Sequence, residues 1–390
     1  MIGKVETIGK GGRGIVFDAG KPVFIDGVLK GEVVEFAVTK KKHSVSFGSL
    51  KKIIDASPER ITPPCPYYGV CGGCNFQHMA YREQVAVKQE ILKSNLKRIA
   101  KINYPHPVEA ITSPPFGYRT RAIVKVRDGR AGFFKKESHD IVEIDSCLLL
   151  PQIVGGFLRA LKRKPVINGP KKGEILILTN GSELSALIKT DGNRTYLTDK
   201  KEISFNIGEF HYTYTPENFV QANLFTLESM TGLPQKSVGR DHFERAADLF
   251  CGAGFFTLCL TRRAGVVYSV EADTNNIHSL KTNLENNKIG NVKIMKADIL
   301  KNPVPQADVY LIDPPRTGLN RQIIHDIAGH RPKKILYFSC DSATFCRDIS
   351  FFYEAGYSLK ELKIIDNFPQ TDHFEIYSCL TVKQQVEVRS

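Results

Sequence analysis

Long apolar runs are missing from this 390-residue sequence, and so are internal repeats and low-complexity tracts. No tract approaches the ~18 uninterrupted apolar residues of a membrane-spanning helix, which excludes a helical membrane protein. Residues 1–22 also lack the apolar segment and small-residue cleavage site of a signal peptide. We therefore expect a cytosolic, cytoplasmic protein without a membrane partner. We also expect it to act as a monomer.

The composition departs little from that of ordinary globular proteins, with 42% hydrophobic and 24% charged residues. These fractions exclude disordered, collagen-like and coiled-coil chains, and the length predicts two or three domains. The chain carries 54 Lys and Arg against 41 Asp and Glu, a formal net charge of +13. Such a charge favours a polyanionic partner such as nucleic acid, although a basic enzyme with a solvated surface is the simpler alternative.

The nine cysteines are an odd number in an environment where thiols stay reduced. Metal binding, catalysis or packing therefore explains them better than disulfides. Three thiols, Cys65, Cys71 and Cys74, lie in one Pro- and Gly-rich loop, and Cys147 follows some seventy residues later. This pattern predicts a four-ligand metal site, and spacing alone leaves structural zinc and an iron-sulfur cluster both open. Four further cysteines are interpreted as packing residues, namely Cys251, Cys259, Cys346 and Cys379.

The pattern of strands and helices changes twice along the chain. Residues 1–56 alternate β-rich runs with glycine turns, which predicts a small barrel of the oligonucleotide-binding type. Residues 57–235 begin with a proline-rich linker and the cysteine loop, continue with an amphipathic helix over 81–100, and predict a middle α+β domain. In residues 236–390, buried strands alternate with helices, so we predict an α/β, doubly wound, Rossmann-like catalytic domain.

Polar residues follow the strands of that third region where each strand ends. Asp248 to Gly254 pass from a strand into a helix, and Glu271, Asp298 and Asp313 follow the next three strands. Glycines 252 and 254 allow close approach of a ligand, and Glu271 lies where an acid binds ribose hydroxyls. The loop lacks the third glycine of a dinucleotide fingerprint and strand four ends in Asp-Pro-Pro. S-adenosylmethionine is therefore favoured over a nicotinamide dinucleotide.

A nucleophile and a base are also predicted at this edge of the sheet. Cys340 ends strand five, and Glu375 follows the loop 366–374. Carbon 5 of a pyrimidine accepts a methyl group only after a thiolate adds at carbon 6, and a base must then remove the carbon 5 hydrogen. Cys340 and Glu375 can supply these functions, with Arg316 or a helix N-terminus lowering the pKa of the thiol. Arg316 also stands where amino-group methyltransferases carry an aromatic residue, which favours carbon over nitrogen methylation.

Taken together, these segments resemble the RNA uracil-5 methyltransferase family over nearly the whole chain. Residues 1–56 resemble its TRAM domain, an RNA-binding module, and Pro64 to Cys74 followed by Gln77-His78 are similar to its 4Fe-4S loop, with Cys147 matching the fourth ligand. The resemblance implies that Gln221, in Asn218 to Asn223, contacts S-adenosylmethionine together with Phe250, Gly252, Glu271, Asp298 and Asp313. It implies that Cys340 is the nucleophile and Glu375 the general base. It also implies a structured RNA substrate, 23S rRNA rather than tRNA.

Two positions depart from the family pattern. Asp341-Ser342 replaces the usual Asn-Pro after the nucleophile, and Gly-Phe-Phe replaces Gly-Asn-Phe in the first motif. Neither change removes a reacting group. Two other hypotheses remain: a radical iron-sulfur enzyme, disfavoured by the x5 then x2 cysteine spacing, and a non-catalytic RNA-binding protein, disfavoured by the retained thiol, carboxylate and donor pocket.

Overall fold

A computed structural model describes residues 1–161 and 172–383. The N-terminal strands form a six-stranded sheet in the order β1-β5-β6-β4-β3-β2. Their bounds are β1 Ile2–Lys4, β2 Thr7–Ile8, β3 Gly14–Asp18, β4 Lys21–Ile25, β5 Val33–Lys41 and β6 Ser46–Asp55. Alternating apolar residues such as Val16, Val23 and Phe36 bury one face in a core that also receives Phe76 and Val87 from the following segment. Closure of this sheet into a barrel remains a prediction.

The described part of the middle segment contains helices α1 and α2 and a second sheet of six antiparallel strands. The elements are α1 Tyr81–Asn95, β7 Glu109–Ile111, β8 Arg121–Arg127, β9 Arg130–Phe134, β10 Ile141–Glu143, α2 Gln152–Leu161, β11 Lys172–Thr179, β12 Leu184–Thr190, β13 Asn193–Tyr196, β14 Ile203–Ile207 and β15 Phe210–Tyr214. The sheet order is β10-β9-β8-β11-β12-β13, and β14 and β15 form a separate hairpin. The sequence of residues 153–164 also predicts a basic helix, and the part of it beyond Leu161 lies outside the described residues.

The remaining elements form the sheet that the alternation of strands and helices predicts. They are α3 Leu227–Val238, β16 Phe243–Leu249, α4 Thr257–Leu260, β17 Ala264–Glu271, α5 Thr274–Asn286, β18 Val292–Lys296, β19 Val309–Ile312, α6 Arg321–Gly329, β20 Lys334–Ser339, α7 Ser342–Glu354, β21 Tyr357–Ile365 and β22 Glu375–Val382. Strands β16 to β20 pair in parallel in the order β18-β17-β16-β19-β20, with apolar cores on both faces. The predicted doubly wound α/β class is confirmed.

The middle segment is built into this sheet. Strand β7 pairs with β21 and extends the sheet order to β18-β17-β16-β19-β20-β22-β21-β7. Helix α1 continues through a π-helical turn, Leu96–Ala100, that packs against α7. The domain boundaries predicted at 56 and 235 remain predictions, since the sheet draws one strand from before residue 235. None of the helices in the described segments has the length and apolarity to span a bilayer.

Candidate active site

The register of two antiparallel strands brings Cys340 and Glu375 together. Strand β20 ends at Ser339, which pairs with Ile376 of β22. Cys340 and Glu375, one residue further along each strand, therefore lie at the same edge of the sheet, 35 positions apart in sequence. This edge is also the carboxyl end of the parallel strands, where open α/β sheets bind ligands.

A cavity of about 670 Å³, called the reaction cavity below, opens at this edge. Most of the residues predicted from the sequence line it, namely Gln221, Phe250, Gly252, Glu271, Asp313, Arg316, Cys340 and Glu375. A cavity of this size accommodates a nucleoside-sized ligand with space for a second reactant. The structure thus places the predicted thiol, carboxylate and cofactor residues around one volume.

The loop after β16 has the strained backbone typical of a ligand-binding turn. Phe250 has a φ of +63° and Gly252 a φ of +54°, a left-handed conformation that costs a non-glycine residue energy. The Gly252 amide donates to Glu271 at 2.9 Å. The same carboxylate accepts from the amides of Ala272 and Asp273 at 2.8 and 2.7 Å. Glu271 is therefore fixed in orientation at the cavity wall.

Two of the predicted cofactor residues do not line the cavity. A Cβ at Gly254, where φ is +90°, would meet Leu280 at 2.5 Å, so this glycine permits close packing of the loop against α5. Asp298 lies beyond the end of β18, where it forms an ion pair with Lys301 at 3.1 Å and accepts from the Leu300 amide at 3.0 Å. Contact of either residue with the cofactor remains a prediction.

The environment of Cys340 holds its thiol in the protonated form. The pKa of Cys340 is raised to about 12, chiefly by burial and next by the Glu375 carboxylate, with Asp313 acting in the same direction. Arg316 lowers this pKa, as the sequence suggested, but the burial effect outweighs it. Deprotonation of the thiol therefore requires a change in its surroundings, such as neutralisation of the nearby carboxylates.

Asp341 explains one departure from the family pattern. Its side chain caps α7 by accepting from the amides of Ala343 and Thr344 at 3.0 and 2.9 Å. Aspartate is among the most effective N-cap residues. The residue after the predicted nucleophile thus begins the helix without occupying the reaction cavity.

Glu375 and Asp313 form a coupled pair of buried carboxyl groups. Burial raises the pKa of Glu375, and the Asp313 charge raises it further. Burial also raises the pKa of Asp313, whereas a hydrogen bond from Gln221 Nε2 at 3.0 Å lowers it. The two groups therefore disfavour simultaneous ionisation, and one proton is retained near neutral pH.

Sequence reasoning missed the opposite wall of the cavity. Arg119, Arg121 and Ile123, on and just before β8, line it, together with Phe133 of β9. Phe219, 58% exposed, also borders the cavity. Phe219 lies within the Asn218 to Asn223 segment, but residues 119–133 carry no motif. The two arginines at 119 and 121 were the available signal, and only the tertiary fold shows that they line the same cavity as Cys340.

The four predicted metal ligands lie around a second, smaller cavity of about 80 Å³, called the cysteine cavity below. Cys65, Cys71, Cys74 and Cys147 all line it. Across 1–161 and 172–383, no three His, Cys, Asp or Glu side chains are grouped closely enough to hold a single metal ion. The four thiols therefore border one volume, and their binding of a metal remains a prediction.

The remaining cysteines have the environments expected of packing residues. Cys251, Cys259, Cys346 and Cys379 are all buried. Of these, only Cys251 lies at the reaction cavity.

Comparisons with known proteins give the family. Residues 185–301 and 306–383 match the profile of the tRNA (uracil-5-)-methyltransferase family. An uncharacterised RNA methyltransferase of Aquifex aeolicus is 31% identical, over 97% of this chain and 98% of its own. The 23S rRNA (uracil(1939)-C(5))-methyltransferase RlmD of Pseudomonas putida is also 31% identical, over 95% of this chain and 91% of its own.

A solved structure agrees with the fold. The Pyrococcus abyssi tRNA (uracil-54, C5)-methyltransferase, in complex with S-adenosyl-L-homocysteine, superposes with a TM-score of 0.79 over 98% of this chain and 99% of its own, at 22% identity. The family resemblance in the sequence is thereby confirmed. The chain belongs to the tRNA (uracil-5-)-methyltransferase family of S-adenosylmethionine-dependent RNA-modifying enzymes.

Proposed function

We propose that this enzyme methylates carbon 5 of a uridine in 23S rRNA, with Cys340 as nucleophile and Glu375 as general base. One observation carries the proposal: the register of β20 against β22 sets Cys340 and Glu375 side by side at the wall of a single cavity. The loop around Gly252 and Glu271 lies at the same cavity. A thiol, a carboxylate and a donor pocket around one volume are what this reaction requires.

S-adenosylmethionine, bound at this edge, supplies the electrophilic methyl group. The Cys340 thiol gives up its proton to solvent, its sulfur forms a bond to carbon 6 of uracil, and the electrons of the 5,6 double bond move into an enolate. Carbon 5 then accepts the methyl group, and the bond between that methyl group and the donor sulfur breaks to leave S-adenosyl-L-homocysteine. Glu375 removes the hydrogen of carbon 5, the double bond re-forms, and the bond from sulfur to carbon 6 breaks.

The protonation states of the resting site are consistent with this order of events. The carboxylates near Cys340 raise the pKa of its thiol, so retention of a proton by Glu375 or Asp313 favours the thiolate. Arg316 stabilises the thiolate as well. Glu375 must be ionised by the time it acts as a base, which requires loss of that shared proton after the thiol has reacted.

The RNA substrate is supported by the shape of the molecule around Cys340. A third cavity, of about 760 Å³, shares Cys340 and Arg316 with the reaction cavity and lies between the N-terminal sheet and the catalytic sheet. Ile8, Ile15 and Phe24 of the N-terminal sheet line it. A target base must leave its stack to enter the site, which costs least for a loop nucleotide. We therefore propose that the N-terminal sheet, as a TRAM-like barrel, binds the RNA beside the target uridine.

The choice of 23S rRNA over tRNA is supported by the RlmD of Pseudomonas putida, which is 31% identical to this chain over 91% of its own length. The Pyrococcus abyssi enzyme with the same fold acts on tRNA, which makes tRNA the alternative to be tested. The N-terminal sheet and the cysteine loop are both present in this chain, and chains that combine a TRAM domain with this loop usually act on ribosomal RNA.

We further propose that Cys65, Cys71, Cys74 and Cys147 hold a 4Fe-4S cluster. The support is that four thiols, one of them distant in sequence, line one small cavity whose other walls are largely apolar. Thiolates are the ligands that such clusters use. The cluster would fasten the cysteine loop to the middle sheet, and the reaction above requires no electron transfer from it.

Methylation of unmodified RNA tests the reaction. The enzyme is incubated in air, without reductant, with in vitro transcribed 23S rRNA or total tRNA and with S-adenosylmethionine labelled on its methyl group. We expect label in 5-methyluridine of 23S rRNA, none after Cys340→Ala substitution, and a stalled, methylated enzyme-RNA adduct after Glu375→Gln substitution.

The alternatives give different products. Label in tRNA alone would move the substrate assignment to tRNA, and label on a base nitrogen would overturn the reaction. An absolute requirement for reductant and anaerobic conditions would favour the radical enzyme. A 23S transcript containing 5-fluorouridine supplies a second test, since it lacks the hydrogen that Glu375 removes. Wild type should form a stable adduct with it, and Cys340→Ala should form none.

A further inference from the structure

Arg121 is a partly buried cation with no anion beside it in the described structure. Its Nε atom is buried and lacks a hydrogen-bond partner, and its side chain forms no ion pair with any described residue. Two other partly buried arginines are paired: Arg60 lies 2.6 Å from the buried carboxylate of Glu32, and Arg347 lies 2.6 Å from that of Asp348. An unpaired charge withdrawn from water is costly unless a partner arrives.

The position of Arg121 separates it from the neighbouring Arg119. The Nε of Arg119 is also buried and unpartnered. However, Arg119 lines both the cysteine cavity and the reaction cavity, and its guanidinium lies 6.0 Å from the ring centre of Phe368. The Phe368 ring and the electrostatic interaction with Cys147 therefore account for Arg119. Of these two cavities, Arg121 lines only the reaction cavity.

The reaction cavity already contains carboxylates, but they are engaged elsewhere. Glu271 accepts from three backbone amides, and Asp313 accepts from Gln221. Glu375 and Asp313 interact with each other. Desolvation lowers the pKa of Arg121 without any compensating neighbour. A guanidinium so placed has donors fixed in a planar fork that matches an oxyanion.

We propose that Arg121 binds an oxyanion in the reaction cavity, either a phosphate of the RNA or the carboxylate of the methyl donor. This inference rests on the proposed function, because both oxyanions come from its reactants. In either case Arg121 places a reactant between the middle sheet and Cys340. It is a binding residue and takes no part in bond making.

Binding measurements on four forms of the full chain test the inference: wild type, Arg121→Gln, Arg121→Lys and Arg127→Gln. Arg127 is the matched control, because it lies on the same strand and is absent from the reaction cavity lining. Among the described residues, its side chain donates a hydrogen bond only to the His139 carbonyl, at 3.4 Å. Arg127→Gln changes the net charge by the same amount as Arg121→Gln. Far-UV circular dichroism and thermal unfolding establish that each variant folds.

The first arm measures S-adenosyl-L-homocysteine affinity by calorimetry without RNA. A weakening of roughly tenfold or more in Arg121→Gln, and not in Arg127→Gln, identifies the carboxylate as the oxyanion. The second arm measures the affinity of a fluorescein-labelled 23S rRNA stem-loop with S-adenosyl-L-homocysteine saturating, from 50 to 200 mM KCl. A similar weakening, with the slope of log Kd against log salt reduced by about 0.7, identifies a phosphate.

Arg121→Lys keeps the charge without the fork, so it should retain the salt slope and recover part of the lost affinity. It also keeps the test decisive if Arg121→Gln does not fold. If both arms give the same affinities for the Arg121 variants and for Arg127→Gln, the inference is wrong. That result would leave the proposed function intact, since 5-methyluridine formation by wild type is read separately. Absence of that product in wild type would overturn the function instead.

Discussion

Asn75 and Asp372 bind each other through a reciprocal pair of hydrogen bonds. Asn75 Nδ2 donates to Asp372 Oδ1 at 2.8 Å, and the Asp372 amide donates to Asn75 Oδ1 at 2.9 Å. Asn75 Nδ2 also donates to the Gly11 carbonyl at 2.9 Å. One side chain, next to Cys74, thus joins the N-terminal sheet to the loop that ends at Glu375. We predict that Asn75 is a positioning residue for Glu375, the proposed base.

We predict that Asn75→Ala slows removal of the carbon 5 hydrogen more than it slows formation of the thiol adduct. Loss of three hydrogen bonds frees the loop three residues before Glu375, while Cys340 stays fixed at the end of β20. We expect roughly a tenfold fall in kcat, an unchanged KM for S-adenosylmethionine, and accumulation of methylated enzyme-RNA adduct on a denaturing gel.

Asn193→Ala is the matched control, because Asn193 is exposed on β13, outside the reaction cavity. It should retain wild-type kcat. A fall in kcat for Asn75→Ala without any adduct would mean that Asn75 acts before thiol addition, and the positioning assignment would be withdrawn.

Lys88 and Asp366 form a fully buried ion pair at the start of the same loop. Lys88 Nζ lies 2.7 Å from Asp366 Oδ1 and donates to the Phe368 carbonyl at 3.1 Å, with both side chains 0% exposed. Removing one member leaves the other charge buried and uncompensated. We predict that Lys88→Met lowers the free energy of unfolding by about 3–5 kcal/mol, measured by urea denaturation.

The matched control is Lys93→Met, an exposed position on the same helix. It should change stability by less than about 0.5 kcal/mol. Equal stabilities for the two variants would show that the buried pair contributes nothing net.

The sequence predicted the catalytic sheet well because its signals are local. Buried strands that end in polar residues give both the sheet and the edge at which Glu271, Asp313 and Cys340 meet. Arg121 and Asn75 could not be found in this way. Asn75 binds Asp372, 297 positions away, and Arg121 lines the same cavity as Asp313 and Cys340, which are also distant in sequence. No local pattern encodes such proximity. The sequence alone could not decide the role of Gly254, because a glycine needed for close packing resembles one needed for ligand approach.

The pH dependence of the last chemical step should show the raised pKa of Glu375. Glu375 works as a base only when ionised, and burial together with Asp313 moves its pKa above the ordinary carboxylate range. We therefore predict that decay of the methylated adduct accelerates as pH rises above 6, where an ordinary glutamate would already be fully ionised. Rapid quench of a preformed adduct at pH 5.5 to 9 measures this step alone, without the thiol ionisation.

Asp313→Asn supplies the control for the cause of this shift. It removes the neighbouring charge, so the pKa of Glu375 should fall and the profile should move to lower pH. A wild-type profile that is flat above pH 6, or a profile that Asp313→Asn leaves in place, would contradict the coupling of the two carboxyl groups.

Metal content should depend on Cys147 and not on the cysteines that only pack. If the four thiols around the small cavity bind a 4Fe-4S cluster, anaerobically purified wild type should contain about four iron atoms per chain and absorb in the visible range. Cys147→Ala should lose most of this iron, whereas Cys379→Ala, at a buried position on β22 outside that cavity, should keep it.

The Asn75 and Phe76 amides both donate to the Gln370 carbonyl, at 3.1 and 3.0 Å. Loss of the cluster should therefore also expose the loop before Glu375 to faster hydrogen exchange. If wild type contained one zinc ion and no iron, the four thiols would bind structural zinc and not a 4Fe-4S cluster. Unchanged hydrogen exchange in Cys147→Ala would show that the metal site and the loop before Glu375 are independent.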